Sequence, residues 1–479
     1  MAAPVVCLAL LACAAPAVAQ SPVAPSSAGA AHYRAGVDHE RAGNLEAAAE
    51  SYRAAIRDAP DLAAAHDRLG FVLGRLGQTD AAIASFRRAV AIDPGAFDAQ
   101  YHLGATLWWT KQPVAARAPL EAAVRLRPGD PDARYYLALS LKQGGALDAA
   151  IDHLQQVVRT APDFALARMQ LGIALREAGD LDGAIEHLEE AVRRDRGSVE
   201  ARNNLGLALG ERGRAADAIR VLRALVEEHP AYATARMNLG STLMQSGDLN
   251  GAVAVYRELV QQPDAGAGAH YNLGLALKQQ DRFPEAEAAL RRAAALDPGL
   301  PEAHFTLGVV LWQTARPAEA ADGFRRAIAA RAGYADARYM LGTVLRQLGR
   351  PDEALAEFRA AIALQPTFAE AHLSVGQLLQ RSGDSEAAAA EFAEAERLNK
   401  RKADAQAATF AVSVGVERLR AGDVAAAVAQ FREAVRLAPD YPEAHFHLGA
   451  ALEQLGSRDE AQAHLAEARR LNPRLRWRH

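Results

Sequence analysis

The chain has almost no cysteine. Its 479 residues include only two, Cys7 and Cys13, and both fall within the first 13 positions. The remainder therefore has no disulfide framework, no cysteine-based zinc cluster and no thiol nucleophile.

Aromatic residues and net charge are also low. Aromatic residues make up 6% of the chain and the formal net charge is −4. A strong basic excess would indicate a nucleic acid or an acidic membrane surface as partner, and none is present. The sequence contains no Walker loop, no HExxH and no GxSxG. We therefore expect no catalytic residue, metal, cofactor, small-molecule substrate or nucleic-acid partner.

The first 33 residues lack Lys, Arg, Asp and Glu. Their apolar run is too short to span a membrane. Ala17, Val18 and Ala19, followed by Gln20, form a small-x-small cleavage pattern. This pattern predicts a signal peptide over 1–19 and a disordered leader over 20–28. The expected location is the periplasm or cell envelope of a bacterium.

A second interpretation of the same segment is a lipoprotein signal. Leu10, Leu11 and Ala12 before Cys13 resemble a lipobox, in which Cys13 becomes the lipidated N-terminus and a membrane anchor. The short apolar run before Cys13 weighs against it. The signal-peptide interpretation lacks its basic n-region, which a wrongly assigned start codon would explain. An uncleaved leader is the third interpretation.

Glycine returns every 34 residues along most of the chain. With Gly29 as position 1 of the first repeat, the recurring glycine is position 8. The spacing lengthens by five residues after Gly376 and then resumes. A fixed period of this length is typical of stacked repeats. The residues at position 8 are Gly36, Gly70, Gly104, Ala138, Gly172, Gly206, Gly240, Gly274, Gly308, Gly342, Gly376, Gly415 and Gly449.

Each repeat has the pattern of two helices. The first is predicted over positions 1 to 14, because glycine at position 15, as at Gly179, suits a left-handed helix end. The second is predicted to end near position 30, before a proline at position 32 such as Pro94. Positions 8 and 20 are small, position 27 is alanine in ten of the thirteen repeats, position 7 is leucine in ten, and position 24 is always large and apolar. We expect the helices to approach closely at the small residues.

These residues resemble the tetratricopeptide repeat. That family favours Leu-Gly at positions 7 and 8, alanine at 20 and 27, an aromatic residue at 24 and proline at 32. The resemblance extends from Gly29 to about Leu475 and implies an all-α fold, a right-handed α-solenoid superhelix of about thirteen 34-residue helix-turn-helix repeats. The family's tryptophan at position 4 is replaced here, for example by His66 and Arg134. Repeat 2 shows the pattern in full as Leu69, Gly70, Ala82, Phe86, Ala89 and Pro94.

The organisation along the chain follows from the repeat boundaries. Repeats 1 to 11 are predicted over 29–402 and repeats 12 and 13 over 408–475, with a break at 403–407 and a tail at 476–479. Proline is missing at Lys400, so we expect Asn399–Lys402 to continue the second helix of repeat 11. We also expect a change of superhelix phase at this break.

The resemblance implies that the first helices line a concave groove, with position 6 pointing into it. Asn204, Asn238 and Asn272 occupy position 6 of three successive repeats. A carboxamide offers donors and an acceptor that can pair with the backbone of an extended peptide. Ordinary solvent-facing asparagines are the alternative. The other groove candidates are Gln170 and Tyr136 at position 6, and Trp108 and Trp312 at position 12.

The array is also similar to the repeat superhelix of O-linked N-acetylglucosamine transferases, in which such an asparagine row is implied to hold polypeptides. No counterpart of their catalytic region occurs here, so we do not expect their activity. We expect a non-catalytic scaffold that binds polypeptide segments in the groove. The alternatives are an envelope lipoprotein or assembly factor for a secretion, pilus or polysaccharide-export complex, and a targeting subunit of a separate glycosyltransferase.

Overall fold

The computed structural model describes residues 28–473, and the regular structure within that range is entirely helical. The expectations for residues 1–27, including the cleavage site and Cys13, and for the tail at 476–479 lie outside the described residues. The helices α1 to α25 are, in chain order, Ala28–Arg41, Leu45–Asp58, Ala63–Arg75, Thr79–Ile92, Phe97–Trp109, Pro113–Leu126, Pro131–Gln143, Leu147–Thr160, Ala165–Glu177, Leu181–Arg194, Val199–Glu211, Ala215–Glu228, Ala233–Gln245, Leu249–Val260, Ala267–Gln279, Phe283–Leu296, Pro301–Gln313, Pro317–Ala330, Ala335–Gln347, Pro351–Leu364, Ala369–Ser382, Ser385–Arg420, Val424–Leu437, Pro442–Gln454 and Arg458–Leu471.

Two helices per repeat are confirmed, with a tight turn between them. In repeat 2, α3 ends before Gly77, whose φ of 74° is left-handed. The Gly77 N–H donates to the Gly74 carbonyl at 3.0 Å and the Gln78 N–H donates to the Leu73 carbonyl at 2.9 Å. These two bonds satisfy carbonyls that the helix end would otherwise leave unpaired. The predicted left-handed helix end at position 15 is therefore correct.

The same turn persists in three repeats that lack glycine at position 15. Lys111, Asp281 and Ala315 occupy the position with φ between 56° and 61°. A side chain in this conformation costs roughly 1–2 kcal/mol. The backbone bonds of the turn recur there, for example from Arg316 N–H to the Leu311 carbonyl at 2.9 Å. The packing of the helix pair thus imposes the turn even where the local sequence opposes it.

The helices of a pair meet at position 8. A Cβ added to Gly70 would lie 2.7 Å from the Phe86 ring at position 24, and one on Gly206 would lie 2.5 Å from Leu222 Cγ. Such distances are too short for a methyl group, so glycine sets how closely the helices approach. Ala138 shows that one repeat accommodates the methyl, and it is fully buried.

A second recurrent contact joins consecutive repeats. The side chain at position 4 donates a hydrogen bond to the main-chain carbonyl of the proline at position 32 of the preceding repeat. Histidine, glutamine and arginine all make this bond, over 2.5 to 3.1 Å. It gives position 4 a role other than the packing of a tryptophan. The pairs are His66–Pro60, Gln100–Pro94, Arg134–Pro128, Arg168–Pro162, His304–Pro298, His372–Pro366 and His445–Pro439.

The chain divides into two compact units, one up to Val255 and one from Tyr256 onward. Within each unit, helices pack against their neighbours in sequence, and first helices also contact the first helix of the next repeat. Each unit is thus an all-α solenoid segment. Helix α22 continues through Asn399–Lys402, as expected, and becomes the first helix of repeat 12. No helix between residues 28 and 473 is both long and apolar enough to cross a membrane.

The close helix contact gives a test of the repeat register. Ala82 and Ala84 lie on the same helix, α4, but Ala82 is fully buried and Ala84 is exposed. Ala82→Leu should overpack the helix pair and lower the free energy of unfolding by about 1–3 kcal/mol. Ala84→Leu should change it by less than about 0.5 kcal/mol. Denaturant titration followed by circular dichroism measures both, and equal losses would contradict the register.

Candidate peptide-binding surface

The first helices of neighbouring repeats are joined by side chains 35 residues apart. Position 5 bonds to position 6 of the next repeat, and position 12 bonds to position 13 of the next repeat. Positions 5, 6, 12 and 13 therefore form a continuous face within the unit that ends at Val255, which we call the first-helix surface. The pairs are Asp67–His102 at 2.9 Å, Asn203–Asn238 at 2.8 Å, Lys142–Glu177 at 2.9 Å and Arg176–Glu211 at 2.6 Å.

The predicted asparagines differ in what they already bind. Asn238 Nδ2 donates to Oδ1 of Asn203, a buried residue at position 5. Asn204 Nδ2 donates to the Glu200 carbonyl of its own helix at 2.8 Å. Asn272 is partly buried and belongs to the second compact unit. Asn238 therefore helps to hold two first helices together, a role that the sequence did not predict.

Two carboxamides in adjacent repeats keep hydrogen-bonding capacity. Gln170 at position 6 of repeat 5 is partly buried and makes no hydrogen bond to the described residues. The Oδ1 atom of Asn204, at position 6 of repeat 6, likewise accepts none from them. Both groups lie on the first-helix surface of one compact unit. They can form hydrogen bonds with the backbone of a ligand without breaking an existing side-chain pair.

An aromatic cluster lies beside them in repeats 3 and 4. The Trp108 ring is 5.6 Å from the Tyr136 ring and 5.1 Å from the Trp109 ring, centroid to centroid. Tyr136 is only 8% exposed and also contacts Tyr101 and Tyr135. Trp108 is half-buried, and its Nε1 has no acceptor among the described residues. The structure thus brings two predicted groove residues together and leaves an indole donor unsatisfied.

Trp312 occupies the corresponding position in the second unit. Its Nε1 donates to Gln347 Oε1 at 2.8 Å, which repeats the position 12 to position 13 contact. Phe305, an aromatic residue at position 5, packs on Phe324 and Tyr334 with ring centroids 5.6 and 5.1 Å away. Position 5 is thus a packing position in this repeat, while the Trp312 indole is partly buried and hydrogen-bonded.

Buried charges in repeats 1 to 3 were not singled out from the sequence. Glu40 accepts a hydrogen bond from the Tyr52 hydroxyl at 2.7 Å and another from Arg68 Nη1 at 3.3 Å. Burial, together with the Glu40 bond, raises the pKa of Tyr52. Beside this group, Asp67 Oδ1 lies 2.9 Å from His102 Nδ1, and both side chains are largely buried. The contact from position 5 to position 6 of the next repeat thus joins charged groups between repeats 2 and 3 and carboxamides between repeats 6 and 7.

A cavity of about 570 Å³ opens next to these charges. The N-terminal ends of α3 and α5 and the loops before them form its walls. Asp67, Arg68, Asp98 and Arg127 contribute charge of both signs. Arg127 stacks over the Phe97 ring, 4.0 Å from its centroid, and approaches Asp98 at 3.4 Å. Such a lining can accept polar groups of either sign but provides no set of metal ligands.

No group of three or more His, Cys, Asp or Glu side chains within residues 28–473 is arranged to hold a metal ion.

Comparison with known families gives a direct result. The model described as "Tetratricopeptide repeat" matches residues 68–131, 112–165, 135–201, 169–219, 203–270, 271–335 and 339–408. A second model, "TPR repeat", matches residues 417–456. The chain belongs to the tetratricopeptide repeat (TPR) family.

Solved structures are similar to part or nearly all of the chain. MamA residues 41 to the end, from Desulfovibrio magneticus RS-1, is 25% identical with a TM-score of 0.34, covering 36% of this chain and 96% of that one. YrrB, titled "a TPR protein with an unusual peptide-binding site", is 24% identical with a TM-score of 0.36, covering 39% and 96%. The Cut9–Hcn1 structure is 15% identical with a TM-score of 0.37 and covers 94% of each chain. A comparison with curated proteins gives no match.

We expect the Asp67–His102 pair to make the stability of this TPR array depend on pH. Burial lowers the pKa of His102, but the Asp67 carboxylate outweighs it, so the net pKa is raised. A raised folded pKa stabilises the fold fully below the unfolded value of about 6.5. That stabilisation is lost as the pH rises through the folded pKa.

We predict that His102→Gln removes this pH dependence. The difference in unfolding free energy between wild type and variant should be largest below about pH 6.5 and shrink at higher pH. Denaturant titrations across this range measure it. The control is His66→Gln, because His66 bonds only a main-chain carbonyl. A difference that is constant with pH would contradict the assignment.

Proposed function

We propose that the chain is a non-catalytic scaffold that binds extended polypeptide segments along its first-helix surface. Membership of the TPR family supports a role in protein interaction. The observation on which the proposal mainly rests is the pair of carboxamides with unused hydrogen-bonding capacity, Gln170 and Asn204, at position 6 of adjacent repeats. An extended peptide presents N–H and C=O groups at regular intervals, and carboxamides can bond both.

The neighbouring aromatic cluster would provide the apolar part of the same site. Tryptophan and tyrosine are favoured anchors in protein interfaces because one side chain combines a large apolar surface with a polar atom. Trp108 is partly exposed, so part of its ring can contact a ligand, although its indole Nε1 is buried without an acceptor in the described part of the chain. In this proposal Trp108 and Tyr136 contact a side chain of the peptide, while Gln170 and Asn204 bind its backbone.

The test uses peptides selected against the wild-type chain from a random display library. Gln170→Ala/Asn204→Ala should weaken their binding about tenfold, since each lost hydrogen bond contributes about 0.5–1.5 kcal/mol. Fluorescence anisotropy of labelled peptides gives the dissociation constants. Asn238 and Asn272 are left unchanged, because the Asn238 carboxamide pairs with a buried partner and its loss would also destabilise the fold.

Two controls distinguish backbone recognition from a general effect. Asn44→Ala removes an exposed asparagine from the turn between α1 and α2 and should leave affinity unchanged. Methylating the peptide's backbone nitrogens should abolish binding, because it removes the N–H donors while keeping the side chains. Peptides that bind the double variant as tightly as the wild type would place recognition on another surface.

We further propose that this scaffold functions in a bacterial cell envelope after export. The small-x-small site at Ala17–Ala19 and the lipobox-like Cys13 support export by either of two routes. The intact mass of protein purified from the envelope should show loss of residues 1–19, or a chain beginning at an acylated Cys13. A mass that retains residues 1–19 would contradict export with cleavage. With acylation, the chain would be an envelope lipoprotein able to serve an assembly complex.

A further inference from the structure

Position 4 makes a second contact in four repeats, this time within its own repeat. Its side chain reaches the residue at position 23, and in three of the four repeats it also bonds the preceding loop. Two of these pairs place histidine Nδ1 opposite position 23 while Nε2 bonds the proline carbonyl. The pairs are Arg134–His153 at 3.2 Å, Arg338–Glu357 at 3.0 Å, His372–Glu391 at 2.6 Å and His445–His464 at 3.0 Å.

Repeat 9 lacks this second contact. Its position 4 is His304, which is 5% exposed and whose Nε2 bonds the Pro298 carbonyl at 3.0 Å. Its position 23 is Gly323, the only glycine at that position in the thirteen repeats. No described residue bonds His304 Nδ1. A Cβ on Gly323 would lie 3.0 Å from Gly308 Cα, so close packing of the helix pair accounts for the glycine.

Empty space adjoins His304 and Gly323. A cavity of about 350 Å³ and an adjoining one of about 430 Å³ are both lined by His304, Ala294 and Arg326. Most of the remaining lining residues have small or apolar side chains. The cavities therefore lie beside a histidine that is nine-tenths buried, in the one repeat that has no side chain at position 23.

The cavity lining leaves one cationic side chain without a partner among the described residues. Its lining includes Glu319 and Asp322 from α18, and both carboxylates already have arginine partners, Arg316 and Arg325. Arg291, from α16, pairs with Glu287 and Glu319. Arg326, also from α18, has no ion-pair or hydrogen-bond partner among residues 28–473. One guanidinium and one imidazole nitrogen thus remain available.

We propose that this cavity binds a carboxylate group, the Asp or Glu side chain of a polypeptide partner, through His304 Nδ1 and the Arg326 guanidinium. Repeat 11 shows the same geometry with an internal ligand, since Glu391 Oε2 lies 2.6 Å from His372 Nδ1. A carboxylate from outside would take the corresponding place in repeat 9. This site uses positions 4, 23 and 26, so it is separate from the first-helix surface and does not depend on peptide binding there.

Protonation gives the site a recognisable signature. The Pro298 carbonyl can only accept, so His304 Nε2 must carry a proton. A carboxylate on Nδ1 also only accepts, so binding it places a second proton on the ring. The titratable and charged groups facing the ring are Arg291, Glu319, Asp322 and Arg326. Carboxylate binding should therefore place a proton on each of the two ring nitrogens of His304.

The experiment follows histidine ring signals by NMR in the full chain, with the His304 signal assigned from its loss in His304→Gln. The probes are N-acetylglutamate amide, which has only a side-chain carboxylate, and N-acetylglutamine amide, which has none. The glutamate probe should move the His304 signal to its protonated position with millimolar affinity, and the glutamine probe should not. No shift with the glutamate probe would overturn the proposal.

Variants test the two contacts separately. His304→Gln should keep the bond to the Pro298 carbonyl, since Gln100 makes the equivalent bond in repeat 3. It should nevertheless abolish binding of the glutamate probe, measured by saturation transfer. Arg326→Gln should weaken the probe about tenfold. His372→Gln is the matched control and should change nothing, because Glu391 already fills that site. Tighter binding of N-acetylalanine, whose only carboxylate is its C-terminus, would overturn the side-chain assignment.

Discussion

The close contact between position 8 of the first helix and position 24 of the second sets the geometry on which the rest of the structure depends. The Leu222 side chain leaves no room for a Cβ on Gly206, and the Phe86 ring leaves none on Gly70. Because the contact fixes how the helices of a pair lie against each other, each repeat presents its first helix to the next in the same way. The side-chain pairs 35 residues apart can recur only under that condition.

The period of the sequence was enough to predict the helix pairs and their turns, because glycine and alanine report backbone approach directly. It could not predict that Lys111, Asp281 and Ala315 take the same left-handed conformation, since none of them requires it. In those repeats the helix packing decides the turn. It also could not predict the bonds from position 4. The side chains of His66, Gln100 and Arg134 differ in size and charge and have in common only an N–H donor at a similar distance from the main chain.

The candidate surface was predicted less completely, for a related reason. The sequence predicts position 6 as a row of groove residues, but His102 and Asn238 have their partners at position 5 of the preceding repeat, where apolar residues dominate. Asn203 and Asp67 are exceptions at that position, and each acts on a residue 35 places later. A periodic sequence reveals the residues that recur. Each of these pairs instead needs a residue that departs from the repeat pattern at position 5 and a matching partner at position 6 of the next repeat. Tyr136 illustrates the converse, since its neighbours in space leave a predicted groove residue only 8% exposed.

Repetition also gives the structure internal standards against which one repeat can be judged. An unpaired histidine nitrogen in a globular protein has no reference, but His304 can be compared with His372 and His445, which occupy the same place with a partner. The comparison separates two effects of Gly323. The absence of a Cβ allows the two helices to pack closely. The absence of a polar group at position 23 leaves the His304 Nδ1 atom without a partner among the described residues, beside a cavity. In a solenoid, therefore, specific binding is best sought where one repeat omits an interaction that others complete internally.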